Sequence, residues 1–99
     1  MIVALSRFTI ANDKAEEVHR AFQQRPHLVD TTPGFLGMEV MHASDDASEI
    51  WLFTRWRDRA SYEAWHKSAD YHESHKHIPK GLKLKPGTTE IRVLEVFAD

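Results

Sequence analysis

The sequence predicts a single α+β domain over residues 1–99, and three observations carry the prediction. Four stretches are rich in β-branched and apolar residues, and apolar residues follow a helical spacing in others. Read this way, the order is strand, helix, strand, strand, a pair of short helices, strand. The strands also carry large apolar groups on both faces, which a sheet with one wet face does not. One layer of helices covers only one side of such a sheet. In a chain of 99 residues the candidate cover for the other side is a second copy of the same sheet, and dimerisation would enlarge a modest core.

Each element has its own signal. Residues 2–10 (IVALSRFTI) are β-branched and apolar and read as a strand. Ile2, Ala4, Ser6, Phe8 and Ile10 share one face; Val3, Leu5, Arg7 and Thr9 share the other. Ser6 interrupts the first face. It is either a small polar residue bonded locally or a polar group aimed at a ligand. A helix opens at Asn12 or Asp13, where Asp13 and Glu16 have the spacing of a capping box. Ala15, Val18 and Phe22 form its apolar stripe, and Pro26 ends or kinks it near Arg25. Leu28 and Val29 suit one more packed turn before the breakers Thr31-Thr32-Pro33-Gly34.

Residues 35–43 (FLGMEVMHA) read as the second strand, with a bulge or a close approach at Gly37. Ser44–Ser48 is the expected hairpin loop, and Glu49–Arg57 the third strand. Asp58 suits the N-cap of a short helix that places Tyr62 and Trp65 on one face. Ser68 suits the cap of the next helix, on which Tyr71 and His75 share a face and which Pro79 stops. Lys80–Gly87 reads as a mobile loop and residues 89–97 as the last strand. The βαββαβ order is that of ferredoxin-like folds.

Composition excludes several classes. A formal net charge of −2 lacks the basic excess that nucleic-acid binding uses. No apolar run approaches a membrane span, and the first residues lack the basic start and cleavage site of a signal peptide. With no cysteine there is no disulfide, thiol nucleophile or thiolate metal site, which fits a cytoplasmic protein. No nucleophile triad, P-loop or dinucleotide fingerprint is present. His66, His72, His75 and His77 could gather a metal ion, but His72-Glu73-Ser74-His75 is one residue short of the helical zinc spacing.

Three stretches carry a resemblance: PGFLGMEV at 33–40, LFTRWRDRASYEAWHKS at 52–68 and DYHESHKH at 70–77. With them the chain resembles the dimeric αβ-barrel proteins of the antibiotic biosynthesis monooxygenase superfamily, and within it the heme-degrading monooxygenases of the IsdG type. The first two patterns are shared widely and specify fold; Trp65 followed ten residues later by His75 is the more specific feature. The resemblance implies His75 as the axial ligand of heme iron and Trp65 as the residue that distorts the porphyrin. It also implies a homodimer, heme as both cofactor and substrate, and electrons from a separate reductase, since the chain has no flavin or nicotinamide site. In the family an Asn on the first strand donates a hydrogen bond to bound oxygen. That position is Ser6 here, a shorter donor with one hydrogen to give. The departure supports heme binding better than heme turnover.

Other readings stand beside this one. His75 on residue type alone is equally a solvated helix histidine, although neutral imidazole is a standard proximal ligand. Trp65 is compatible with plain core packing. A cofactor-independent monooxygenase of quinol or polyketide-like aromatics would need no ligand, and a non-catalytic heme or small-ligand-binding dimer would need no turnover. The pocket expected between sheet and helices would be lined by Ser6, Phe8, Phe22, Leu52, Thr54 and Trp56, with Arg25, His27 or Lys76 meeting an acidic group of the ligand.

Overall fold

The computed structural model describes residues 1–69, 71, 79 and 81–99. Its elements are β1 (Ile2–Thr9), α1 (Ala15–Gln23), a 3-10 turn (Leu28–Thr31), β2 (Phe35–Ala43), β3 (Asp46–Trp56), α2 (Arg59–His66) and β4 (Glu90–Glu95). The four strands form one sheet in the order β2-β3-β1-β4 with every pair antiparallel. This is the ferredoxin-like α+β arrangement. Most of the second helix expected after Ser68, including His72, His75 and His77, lies outside the described residues.

Strand register divides the sheet into two chemically distinct faces. Ser6 pairs with Leu52 on one side and Ile91 on the other, and Ala4 pairs with Thr54 and Val93. These residues therefore share the helix-covered face. Beneath the helices, one buried cluster joins Ile2, Val29, Trp56 and Trp65; a second joins Ile10, Val18 and Ile50. On the opposite face Val3, Leu5, Trp51 and Phe53 are only half-buried, and Met41 and Leu94 are exposed. The Arg7 guanidinium lies 5.5 Å from the centre of the Trp51 ring and pairs with Glu90 at 3.1 Å, while Arg55 pairs with Glu39. Apolar groups thus occupy both sides of the sheet, as the sequence indicates.

Local chemistry explains the element ends. The Asp58 carboxylate accepts from the Ser61 N–H at 2.8 Å, so the expected N-cap of α2 is formed. The bulge at Gly37 is present as a register shift between Phe35 and Gly37. The capping box of Asp13 and Glu16 at α1 is not formed: Lys14 occupies the N-cap position without a side-chain capping bond. The Asn12 amide donates to the Gly81 carbonyl at 2.9 Å. The β2–β3 hairpin is tighter than expected, because Ala43 pairs directly with Asp46 and only Ser44 and Asp45 remain in the turn. The segment expected to be a mobile loop is tied to β1. Ala11 N–H donates to Lys83 O at 2.7 Å, Lys85 N–H to Thr9 O at 2.8 Å, and Ile10 bridges Leu84.

Candidate active site

A cavity of about 300 Å³ opens between the helix-covered face of the sheet and the helices. Its floor is Ala4, Ser6 and Phe8 of β1 with Leu52 and Thr54 of β3. Val18 and Phe22 of α1 form one wall, and Tyr62, Trp65 and His66 of α2 form the other. The two buried clusters flank it, which leaves the middle of the sheet under the helices open. The walls are mostly apolar with a few polar groups, the usual composition of a small-molecule site.

Sequence and structure agree on most of the lining. Ser6, Phe8, Phe22, Leu52 and Thr54 all line the cavity, and Ser6 and Trp65 border the same space. Trp56 does not. It has the parity of Leu52 and Thr54, but the 3-10 turn, Phe35 and α2 close over the end of β3 and leave it 0% exposed. Its indole N–H donates to Thr54 Oγ1 at 3.0 Å. The ring of Trp65 is 8% exposed, so it packs as core on one side and borders the cavity on the other. His75 and Lys76 fall outside the described residues.

Several lining residues escaped sequence reasoning as pocket groups, among them Tyr62, His66 and Tyr71. His66 follows Trp65 by one residue and Tyr62 by four, so α2 presents it beside Tyr62. The Tyr62 and His66 rings meet edge to face at 4.5 Å, and the Tyr71 ring also lies 4.5 Å from His66. Ser68 positions Tyr71: its hydroxyl donates to Trp65 O at 2.7 Å and accepts from the Tyr71 N–H at 3.1 Å. Burial, with the nearby Tyr71 phenol adding to it, pushes the Tyr62 phenol above its ordinary value. Tyr62 therefore stays protonated at neutral pH and keeps a donor for a bound oxygen.

The mouth is basic and organised. Arg25 and His27 line the cavity. Both hold Asp30, Arg25 Nη1 at 2.9 Å and His27 Nδ1 at 3.0 Å. The hydrogen bond from Arg25 is the main reason that the Asp30 carboxyl sits below its ordinary value. His27 adopts a left-handed backbone at φ 59, a conformation uncommon for a residue other than glycine, although histidine enters it more readily than most. An arginine only 21% exposed beside an apolar cavity suits a ligand with an acidic edge. No group of three or more metal-ligating side chains occurs among the described residues. No helix among them is long and apolar enough to cross a membrane.

Comparison with known proteins places this architecture. Residues 1–77 match the family model described as antibiotic biosynthesis monooxygenase. A heme-degrading monooxygenase of Bacillus cereus (strain B4264) is 39% identical over 51 residues, covering 50% of this chain and 48% of that protein. One from Bacillus thuringiensis subsp. konkukian (strain 97-27) is 37% identical over 51 residues, with coverage of 50% and 48%. The match thus spans about half the length of these curated relatives. Among solved structures, the heme-degrader MhuD of Mycobacterium tuberculosis, with two hemes bound in its active site, superposes with a TM-score of 0.79 at 19% identity, covering 100% of this chain and 98% of that one. SnoaB, a cofactor-independent oxygenase of Streptomyces nogalater, superposes with a TM-score of 0.78 at 14% identity, covering 99% and 94%. At these identities the two structures share the fold, and they stand for two different chemistries within it.

Proposed function

The chain belongs to the antibiotic biosynthesis monooxygenase family, and from that membership we propose that it binds heme and opens the porphyrin oxidatively, as a heme-degrading monooxygenase. The observation that supports this most is the meeting of Ser6 and Trp65 at one apolar cavity with an arginine at its mouth. The residues present suit the group. Apolar walls accept a flat macrocycle, and a carboxylate of the ligand could share Arg25 with Asp30. His75, outside the described residues, would hold the heme iron. When bound, heme supplies the iron that reacts with oxygen. The chain's own part is to hold and shape: Trp65 presses an aromatic surface into the cavity from a buried position, and Ser6 supplies a hydroxyl donor beside the reacting oxygen. Electrons come from a separate reductase, and the open sheet face pairs with that of a second copy in a homodimer. A cytoplasmic setting accords with the absence of cysteine.

A hemin titration followed by optical absorbance tests the binding step. The expected result is a saturable complex with a shifted Soret band in wild type that His75→Ala weakens at least tenfold, or about 1.4 kcal/mol. A mutant that binds equally well would remove His75 as the ligand.

One observation favours a second reading. His66 lines the cavity with the Tyr62 and Tyr71 rings each 4.5 Å from its own, and Ser6 is a shorter donor than the family Asn. Both suit a cofactor-independent monooxygenase of hydroquinone or polyketide-like aromatics, in which the substrate itself supplies the electrons. Oxygen consumption with a panel of aromatic hydroquinones, unchanged by hemin or chelators, would establish that reading in place of the first. A protein that binds hemin but turns over neither substrate is a carrier or sensor.

A further inference from the structure

The mouth of the cavity holds a histidine whose two ring nitrogens are set up differently. His27 Nδ1 lies 3.0 Å from Asp30 Oδ2, and Arg25 Nη1 lies 2.9 Å from Asp30 Oδ1. The 3-10 turn builds this arrangement locally. His27 is its N-cap, and the Asp30 N–H donates to the His27 carbonyl at 3.2 Å. Residues three apart eclipse along such a turn, which brings the carboxylate beside the ring. The hydrogen bond from Arg25, above all, lowers the Asp30 carboxyl and keeps it ionised at neutral pH. An ionised carboxylate can only accept, so Nδ1 carries the hydrogen, and in the neutral ring Nε2 carries the lone pair. Among the described residues nothing bonds Nε2. His27 lines the cavity, and its side chain is 60% exposed, which leaves the ring a route to bulk water. The other charged or titratable side chains that line the cavity among the described residues are Arg7, Arg25, Tyr62, His66 and Tyr71.

We propose that His27 and Asp30 form a proton-transfer dyad at this mouth, in which His27 Nε2 takes the proton of an aromatic hydroxyl on the bound ligand and Asp30 is the positioning residue. The inference rests on the cavity being the substrate site, as the proposed function has it. The ligand O–H bond breaks, an Nε2–H bond forms, and the electron pair stays on the ligand oxygen as a phenolate. The exposed ring then passes a proton to water and regains its lone pair. Asp30 fixes the tautomer and stabilises the imidazolium, the part a carboxylate plays behind a catalytic histidine. Arg25 lines the cavity beside the dyad and adds positive potential where the phenolate forms. The apolar walls select an aromatic body, so the ligand class is a flat aromatic with one ionisable hydroxyl at its edge.

The test uses 4-nitrophenol, whose phenolate absorbs visible light and whose phenol does not. The ionisation midpoint of the bound probe is read by absorbance in wild type, His27→Asn, His27→Gly and Asp30→Asn. Asparagine and glycine both accept the left-handed backbone that His27 holds at φ 59, and circular dichroism checks that each variant is folded. In wild type the midpoint should fall by about half a pH unit or more below that of the free probe, a roughly threefold preference for the phenolate. The His27 variants should bind the probe and lose most of that shift. In Asp30→Asn the amide oxygen stays with Arg25, so the amide N–H faces Nδ1 and moves the ring hydrogen to Nε2. That variant should also lose the shift, and NMR of the ring nitrogens should show the Nδ1–H form in wild type and the Nε2–H form in the variant. An unshifted midpoint in wild type, a shift that survives in the His27 variants, a wild-type ring in the Nε2–H form, or no binding of the probe would each overturn the dyad. Adding hemin separates this result from the heme reading. If the shift depends on His27 and hemin neither binds nor displaces the probe, the dyad stands and the heme reading falls. If hemin binds and displaces a probe that shows no shift, the reverse holds.

Discussion

Ser6 and Trp65 show how much a single residue can report. The face of Ser6 was legible because a strand alternates strictly: once Ala4 and Phe8 were placed inward, Ser6 had to follow. Trp56 was misread by the same rule. Its burial comes from the 3-10 turn, Phe35 and α2 closing over the strand end, and no local pattern records that. His66 was named in the sequence only as one of four clustered histidines; its position four residues after Tyr62 was available, but which helix face meets the cavity is a tertiary fact. Trp65 gives a direct energetic prediction. It is 8% exposed within the cluster of Ile2, Val29 and Trp56. Trp65→Ala should lose about 3–5 kcal/mol in urea unfolding, and Trp65→Phe distinctly less. Equal losses would mean that the indole is not packed as described.

At the scale of elements, the entry to α2 depends on two contacts. The first is the Asp58 cap. The backbone N–H of Ser61 chiefly lowers the Asp58 carboxyl below its ordinary 3.8. A depressed carboxyl contributes stability that is complete above its unfolded value and is lost as pH falls through its folded value. Asp58→Asn retains a capping oxygen but has no carboxyl to titrate. Its melting temperature should therefore decline less than that of wild type as pH is taken below about 4, where wild type loses the charged cap. Parallel declines would remove the cap from the account. The second contact is the approach of the turn before β2 to α2. Gly34 has φ +84, and a Cβ there would lie 2.5 Å from Ser61 Cβ. Gly34→Ala should cost more than about 1 kcal/mol, because it combines a left-handed backbone with a clash. Gly37→Ala meets nothing within 4 Å and should stay within about 0.5 kcal/mol of wild type. The helix and strand identities were legible from period and breakers. The failed capping box of Asp13 and Glu16 was not, because the helix begins one residue later than their spacing indicates, with Lys14 at the N-cap.

For the whole molecule, the open sheet face is the feature a monomer leaves unexplained. Val3, Leu5, Trp51 and Phe53 lie there between the Arg7–Glu90 and Arg55–Glu39 pairs. A face with an apolar middle and charged flanks suits a self-complementary contact, since each pair can meet its symmetry mate. Leu5→Asp should convert a dimer into a monomer by analytical ultracentrifugation while the sheet remains folded. A wild-type protein that sediments as a monomer would remove the second copy from the account. The βαββαβ order that the sequence predicts stands, and so does the apolar character of both sheet faces.

On the proposed reading, heme bound in the cavity bordered by Ser6 and Trp65 is opened there. The most direct measurement is the Soret absorbance of the hemin-loaded protein in air, with a reductant and with catalase present to remove free peroxide. The band should decay in wild type, and at least about tenfold more slowly in Trp65→Phe, a difference of about 1.4 kcal/mol in barrier. A band that persists in wild type, or that decays at the same rate in the variant, would contradict the claim.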